Sequence, residues 1–180
     1  RGADQEALFA LARVRRDATL GSGAVEVRSV IEISNICKQR CNYCAIGSGS
    51  CEGQYLIEVA EFIERIELLS RVGRRVVLVQ SGENDDQDFV DHVAACVGAA
   101  KQSHPDMVLL LCLGNMARAQ YARLREAGAD RYILKFETSN PELYHKLKPR
   151  DTLDNRLRCL KDLVELGYQV GSGNIVGLPG

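Results

Sequence analysis

At 180 residues, with 46% hydrophobic and 26% charged side chains, the chain is of one-domain size and ordinary globular composition, long enough to bury a core. Its 23 Lys and Arg balance 24 Asp and Glu to a formal net charge of -1, so no basic field points to a nucleic acid or a membrane as partner. Seven cysteines, with no apolar run of spanning length and no signal-peptide pattern, argue against a closed disulfide framework and for a reducing, cytoplasmic setting.

Residues 4–20 open the chain as a helix, with apolar side chains at helical spacing, Asp4 and Glu6 early and Arg13, Arg15 and Arg16 late. Gly21-Ser22-Gly23 ends it, and residues 25–34 follow as a strand. That strand runs into Cys37-Lys38-Gln39-Arg40-Cys41-Asn42-Tyr43-Cys44, the stretch that the rest of the chain supports. Thiolates spaced four and three apart on a loop can converge on one small soft-metal centre: zinc, copper(I) or an iron-sulfur cluster. A closed zinc site or a fully ligated cubane needs four protein ligands, so three leave one metal position open to a substrate or cofactor. The alternative is a zinc knuckle completed by Cys51, which would make a binding domain without chemistry of its own. Gly47-Ser48-Gly49-Ser50 continues the loop with little side-chain bulk, so that backbone can pass close to a ligand.

Downstream, helical and strand patterns alternate. Residues 56–72 repeat apolar side chains as a helix, and Val76-Val77-Leu78-Val79 is a near-continuous apolar strand of the kind buried on both faces of a parallel sheet. Residues 87–102 read as a helix, 107–113 as a strand, 116–127 as a helix capped by Gly128, and 131–136 as a fourth strand. Pro141 sits near the start of a short helix; 154–166 is a further helix, and 168–176 the fifth strand. Strands separated by helices of this length imply right-handed crossovers and a parallel α/β sheet, either a barrel or doubly wound.

In both architectures ligands lie at the carboxyl ends of strands, and the chain's unusual residues fall there. The Cys loop follows the first strand, Gln80-Ser81-Gly82-Glu83 the second, Gly114-Asn115 the third, Glu137-Thr138-Ser139 the fourth and Gly177-Leu178-Pro179 the fifth. Glu83 is either a solvated acid beside Asp85, Asp86 and Asp88 or part of a ligand turn with Ser81 and Gly82. Glu137 can accept hydrogen bonds from a ribose or an amine, or simply meet water. Arg156 can pair with a carboxylate in a planar fork, or be one more exposed arginine on a helix.

The octet CxxxCxxC, with an aromatic residue before the last Cys, resembles the signature of the radical S-adenosylmethionine (radical SAM) superfamily. Glu32-Ile33-Ser34-Asn35, Gln80-Ser81-Gly82-Glu83, Ala127-Gly128-Ala129-Asp130-Arg131-Tyr132, Glu137-Thr138-Ser139-Asn140-Pro141, Asn155-Arg156-Leu157 and Val176-Gly177-Leu178-Pro179-Gly180 are similar to its branch of FeFe-hydrogenase maturases, biotin synthases and methylornithine synthases, nearest the maturases. The resemblance implies a TIM-type barrel, of which this chain supplies five strands as one core domain over residues 1–180. It implies a 4Fe-4S cluster on Cys37, Cys41 and Cys44 whose open iron chelates S-adenosylmethionine and cleaves it reductively to methionine and a 5'-deoxyadenosyl radical. Tyr43, Ser81, Gly82, Glu83, Glu137, Arg156 and Ile175, the last within the GxIxG pattern of residues 173–177, carry over as cofactor contacts. The implied partners are a small-molecule substrate and an electron donor such as ferredoxin or flavodoxin. Hydrogenase-cofactor maturation is the implied role, with a methylornithine-type mutase or biotin-type sulfur insertion as alternatives.

Some positions depart from the family pattern. Ser81 replaces the first Gly of a Gly-Gly-Glu-like turn, Lys135 stands where the maturases carry Arg, residues 47–51 replace a stretch that tends to be basic, and Gly180 stands where an acid follows GxIxG. Cys96, Cys112 and Cys159 are expected to be small buried hydrophobes, and His92, His104 and His145 surface residues. The acidic run from Glu83 to Asp91 reads as a solvated helix start. A start at Arg1 without Met and an end directly after a strand are expected of a piece of a longer protein.

Overall fold

The structure is a computed structural model and describes residues 2–21, 23, 25–46 and 53–178. In chain order it holds α1 (Ala3–Leu20), β1 (Arg28–Ser34), α2 (Val59–Arg71), β2 (Val76–Ser81), α3 (Gln87–Ser103), β3 (Val108–Cys112), α4 (Arg118–Glu126), β4 (Arg131–Ile133), α5 (Pro141–Leu147), α6 (Leu153–Glu165) and β5 (Gln169–Gly171). Strand neighbours in space are strand neighbours in sequence, β1-β2-β3-β4-β5, and every pairing is parallel. A doubly wound sheet reverses its strand order at a switch point and carries helices on both faces. Here α2, α3, α4 and α6 follow one another along a single face, which is the outer layer of a barrel.

Alternation along the strands sets the two faces. Ile31, Ile33, Val77, Val79, Leu109, Leu111 and Tyr132 turn towards the helices and are buried against Phe62, Ile66, Phe89, Val93, Val97, Tyr121, Leu124 and Leu163. Their neighbours Gln80 and Cys112 take the concave side and, with Lys135, line a recess there. Three strand spacings would separate β1 from β4 by about 14 Å in a flat sheet. Curling brings Glu26, two residues before β1, onto Arg131 of β4 with N–O distances of 3.0 and 2.8 Å.

Two strands are shorter than the apolar patterns suggest. β4 stops at Ile133 and β5 at Gly171; beyond them a single bridge, Glu137 with Asn174, continues the pairing. Glu137 has a left-handed backbone, φ 65°, so no extended strand continues past that bridge. The leading helix forms where its periodicity places it, yet it has no buried residue: Leu8, Phe9, Leu11 and Val14 are exposed. Pro141 occupies the first turn of α5, where Asn140 caps the helix by accepting from Glu142 and Leu143 N–H at 3.0 and 3.1 Å. No helix among the described residues is long and apolar enough to cross a membrane.

Candidate functional site

The Cys loop leaves the sheet where the β1–β2 register slips between Glu32 and Ser34, an irregularity that bends a strand and redirects the chain beyond it. The Ser34 hydroxyl donates to Tyr55 O at 2.8 Å, and Asn35 Nδ2 donates to Gly53 O at 2.7 Å, tying the base of the loop to the returning chain. Gly82 lies flat against the loop: a Cβ there would stand 2.4 Å from Ile36 O and 2.6 Å from Cys37 Cβ. That close approach lets Lys38 N–H donate to Glu83 O at 2.8 Å and Glu83 N–H donate to Cys37 Sγ at 3.3 Å. On the far side Asn42 N–H donates to Leu147 O at 2.9 Å and Arg150 Nη1 to Lys38 O at 2.7 Å. Segments separated by more than 100 residues thus clamp one loop.

Inside this clamp is a cavity of about 200 Å³ at the carboxyl ends of the strands. Cys37, Cys41, Tyr43, Cys44, Ser81, Gly82, Glu83, Glu137 and Arg156 line it together, so of the residues expected to touch the cluster or the cofactor Ile175 stands apart. The described cysteines are free thiols. Among the described residues no three His, Cys, Asp or Glu converge closely enough to hold one metal ion. A cluster that takes one thiolate on each of several irons does not require such convergence. Burial pushes the Cys41 thiol up to about 11 against a hydrogen bond with Tyr43; a bound metal's charge reverses that preference and deprotonates a coordinating thiol.

The acidic wall of the cavity is more elaborate than its sequence suggests. Glu83 accepts from Gln39 Nε2 at 2.6 Å, and its other oxygen faces Arg156 Nη2 and Lys148 Nζ, each at 3.3 Å. Burial raises its carboxyl above the ordinary range, opposed chiefly by the Arg156 charge. Arg156 is 4% exposed and Lys148 2%, so of the two readings of Arg156 the pairing with a carboxylate holds and the exposed arginine does not. Residue 156 lies in the first turn of α6 facing inward, and burial of its charge is compensated by Glu83 and by the Tyr144 hydroxyl. Asp151 stands behind both cations. It accepts from the Tyr144 hydroxyl at 2.5 Å, from Asn115 Nδ2 at 2.7 Å and from Asn155 Nδ2 at 2.8 Å. Lys148, Asp151 and Tyr144 were not singled out in the sequence; a lysine and an aspartate three apart look like surface residues until the turn after α5, in which Asp151 N–H donates to Lys148 O, buries both.

Two tyrosines set the floor. The Tyr121 and Tyr132 hydroxyls both donate to Gly114 O, at 3.1 and 2.9 Å. Gly114 has φ 85°, and a Cβ on it would lie 2.3 Å from Glu83 Cγ, so this glycine is required by conformation and by space.

Glu137, 5% exposed, accepts from the Tyr43 hydroxyl at 3.1 Å on one oxygen and has no protein partner on the other. Its carbonyl accepts from Ile175 N–H at 2.9 Å. A second recess of about 520 Å³ opens on the other side of Glu137, lined by Phe136, Thr138, Asn174, Ile175 and Val176, so Glu137 borders both spaces. Buried acceptors without partners, Glu137 Oε2, Gln39 Oε1 and Asn115 Oδ1, are the groups that a bound donor satisfies. Three thiols, a buried carboxylate beside buried cations and an orphaned carboxylate oxygen fit the donor set of a cluster together with a zwitterionic, hydroxyl-bearing ligand.

Other expectations need correction. Cys112 is only partly buried and lines the cavity, because the end of β3 points it inward; Cys96 and Cys159 are buried as expected. His92 is half-buried and bonded to Ile57 O at 2.8 Å rather than at the surface. In the acidic run, Glu83 belongs to the cavity, and Asp85 and Asp86 pair with Lys38 at 2.5 and 2.8 Å. Cys51, Gly180 and the Gly47-Ser48-Gly49-Ser50 stretch lie outside the described residues.

The sequence model of the radical SAM superfamily matches residues 31–180. The FeFe hydrogenase maturase subunit HydE of Thermotoga maritima is 40% identical over 176 residues, covering 97% of this chain and 49% of that protein. Biotin synthase 2 of Frankia casuarinae is 33% identical over 152 residues, covering 81% of this chain and 41% of its own length. The crystal structure of methylornithine synthase (PylB) superposes with a TM-score of 0.85 at 27% identity, over 98% of this chain and 52% of that one. The chain spans about half the length of these relatives.

Proposed function

Because this chain belongs to the radical SAM superfamily, we propose that it holds a 4Fe-4S cluster on Cys37, Cys41 and Cys44 and binds S-adenosylmethionine across the two recesses that meet at Glu137. When bound, the cluster supplies the electron that cleaves the cofactor to methionine and a 5'-deoxyadenosyl radical. The chain's own residues orient and enclose. Glu83 and Arg156 meet the ammonium and carboxylate of the methionine end, the free oxygen of Glu137 takes a ribose hydroxyl, and Tyr43 and Ile175 flank the adenine. Glu83 N–H, aimed at Cys37 Sγ, stabilises negative charge on that sulfur. Lys135, on the inner wall, offers a point charge to a small anionic or zwitterionic substrate. The likeness to HydE supports a role in building an FeFe-hydrogenase cofactor, with ferredoxin or flavodoxin as the reductant.

The observation that carries the reading is the meeting of three free thiols with the buried Glu83–Arg156 pair in one cavity. It is tested on anaerobically purified protein by iron, sulfide and zinc analysis, followed by EPR of the dithionite-reduced sample with and without S-adenosylmethionine. About four irons per chain, an EPR signal that shifts with the cofactor, and release of 5'-deoxyadenosine are expected. All three should be lost when Cys37, Cys41 or Cys44 is replaced by Ser. A colourless zinc protein would overturn it. Restoration of hydrogenase activity in a maturase-deficient host tests the finer assignment, and the methylornithine-type alternative predicts no restoration.

A further inference from the structure

Glu83, Asp151, Arg156 and Lys148 form a buried group of two carboxylates and two cations. We propose that Lys148 is a second contact for the cofactor's carboxylate and that Asp151, held by Tyr144, is the positioning residue that keeps both cations aimed at it. This rests on the reading that S-adenosylmethionine occupies the cavity.

The distances carry the argument. Charge-assisted N–O contacts settle at about 2.7 to 2.9 Å. Yet both cations stand 3.3 Å from one oxygen of Glu83, and 3.6 and 3.7 Å from Asp151. Two buried cations, each under 5% exposed, converge on a single carboxylate oxygen at slack distances. Arg156 also has the Tyr144 hydroxyl at 2.9 Å, whereas the nearest acceptor of Lys148 Nζ among the described residues stands at 3.3 Å, and burial of such charges is stable only when each has close partners. A second carboxylate arriving beside Glu83 supplies them.

The charges also balance. With two carboxylates against two cations the group is neutral, and the amino-acid end of the cofactor, its sulfonium apart, adds one charge of each sign. Its ammonium can take Glu83 while its carboxylate takes Arg156 and Lys148, so each charge of the amino-acid end meets an opposite one. Asp151 cannot follow the ligand, because Tyr144, Asn115 and Asn155 hold its oxygens at 2.5, 2.7 and 2.8 Å. The Tyr144 hydroxyl also accepts from Arg156 Nε at 2.9 Å, which fixes the plane of the guanidinium. Lys148 therefore reads the ligand, and Asp151 acts through Lys148 and Arg156.

The test compares S-adenosylmethionine with its decarboxylated analogue, which keeps the sulfonium, ribose and adenine but lacks the carboxylate. Binding to the cluster-reconstituted protein is measured by equilibrium dialysis. Wild-type protein is expected to prefer the intact cofactor. Lys148→Met should weaken the intact cofactor by about tenfold or more, the worth of one hydrogen bond between charged groups, while changing affinity for the analogue little. Lys148→Arg should restore the preference, and Asp151→Asn should reduce it without removing a ligand contact. Equal loss of both ligands in Lys148→Met, or an unchanged preference, overturns the proposal. If Lys148→Met does not fold, the preference is read in Lys148→Gln, where the same outcomes decide. A wild-type protein that binds its cluster but neither ligand defeats the cofactor reading itself, a result distinct from failure at Lys148.

Discussion

Gly82 shows how much of the site hangs on one absent side chain. A methyl group there would press on Ile36 O and Cys37 Cβ at 2.4 and 2.6 Å, and neither neighbour is the end of a flexible side chain. Gly82→Ala is expected to displace the Cys loop, destabilise the fold by about 1 to 3 kcal/mol and lower the iron bound per chain; unchanged iron content would remove this role. Cys112→Ala, by contrast, deletes a thiol that lines the cavity without belonging to the proposed ligand set, and should leave the iron content unchanged. Glu137→Gln keeps the shape of the side chain and its accepting oxygen but removes the charge. It should weaken cofactor binding with a melting temperature close to wild type, measured by dialysis and by thermal unfolding. That Cys37, Cys41, Cys44, Glu83 and Glu137 meet in one cavity was legible because spacing and position at strand ends mark them. Lys148 and Asp151 were not, since their meaning depends on a turn between α5 and α6 that buries both.

At the scale of elements, the tyrosines explain why the third strand ends where it does. Tyr121 from α4 and Tyr132 from β4 stack edge to face at 5.2 Å and both pin Gly114 O, so a helix and a strand jointly fix the glycine that abuts Glu83. Tyr132→Phe should cost about 1 kcal/mol of stability, read as a shift in the denaturant midpoint, because one hydrogen-bond donor to Gly114 O is lost from a buried place. The alternation of strands and helices was readable from apolar periodicity, and most observed boundaries fall within a few residues of the pattern. The shortened β4 and β5 were not, since a left-handed Glu137 leaves no mark in a run of apolar residues. The leading helix shows the opposite case, a correct periodicity whose apolar side chains are exposed in the structure.

At the scale of the molecule, curvature brings distant segments together. Arg131 and Arg28 hold the Glu26 carboxyl below its ordinary value, and Arg131 joins the start of the first strand to the fourth. A carboxyl whose pKa is lower in the folded state adds stability above its unfolded pKa, and that stability is lost as pH falls through the folded value. Glu26→Gln should therefore destabilise by no more than about 1 kcal/mol at neutral pH, as befits an exposed pair, and the difference from wild type should vanish in acid; urea titrations at pH 7 and pH 3 check both halves. Every strand pairs with the one made just before it, so the sheet can lengthen one unit at a time while the chain is being synthesised. The Cys loop is an early product of that sequence, but the backbone that closes over it, at Leu147 and Arg150, is made more than 100 residues later. Metal delivered to the nascent chain thus meets an unclamped loop until residues 141–150 have emerged, and productive loading waits for them. Ribosome-held chains cut at about residue 120 should retain no iron, and those long enough for Arg156 to have emerged from the ribosome should.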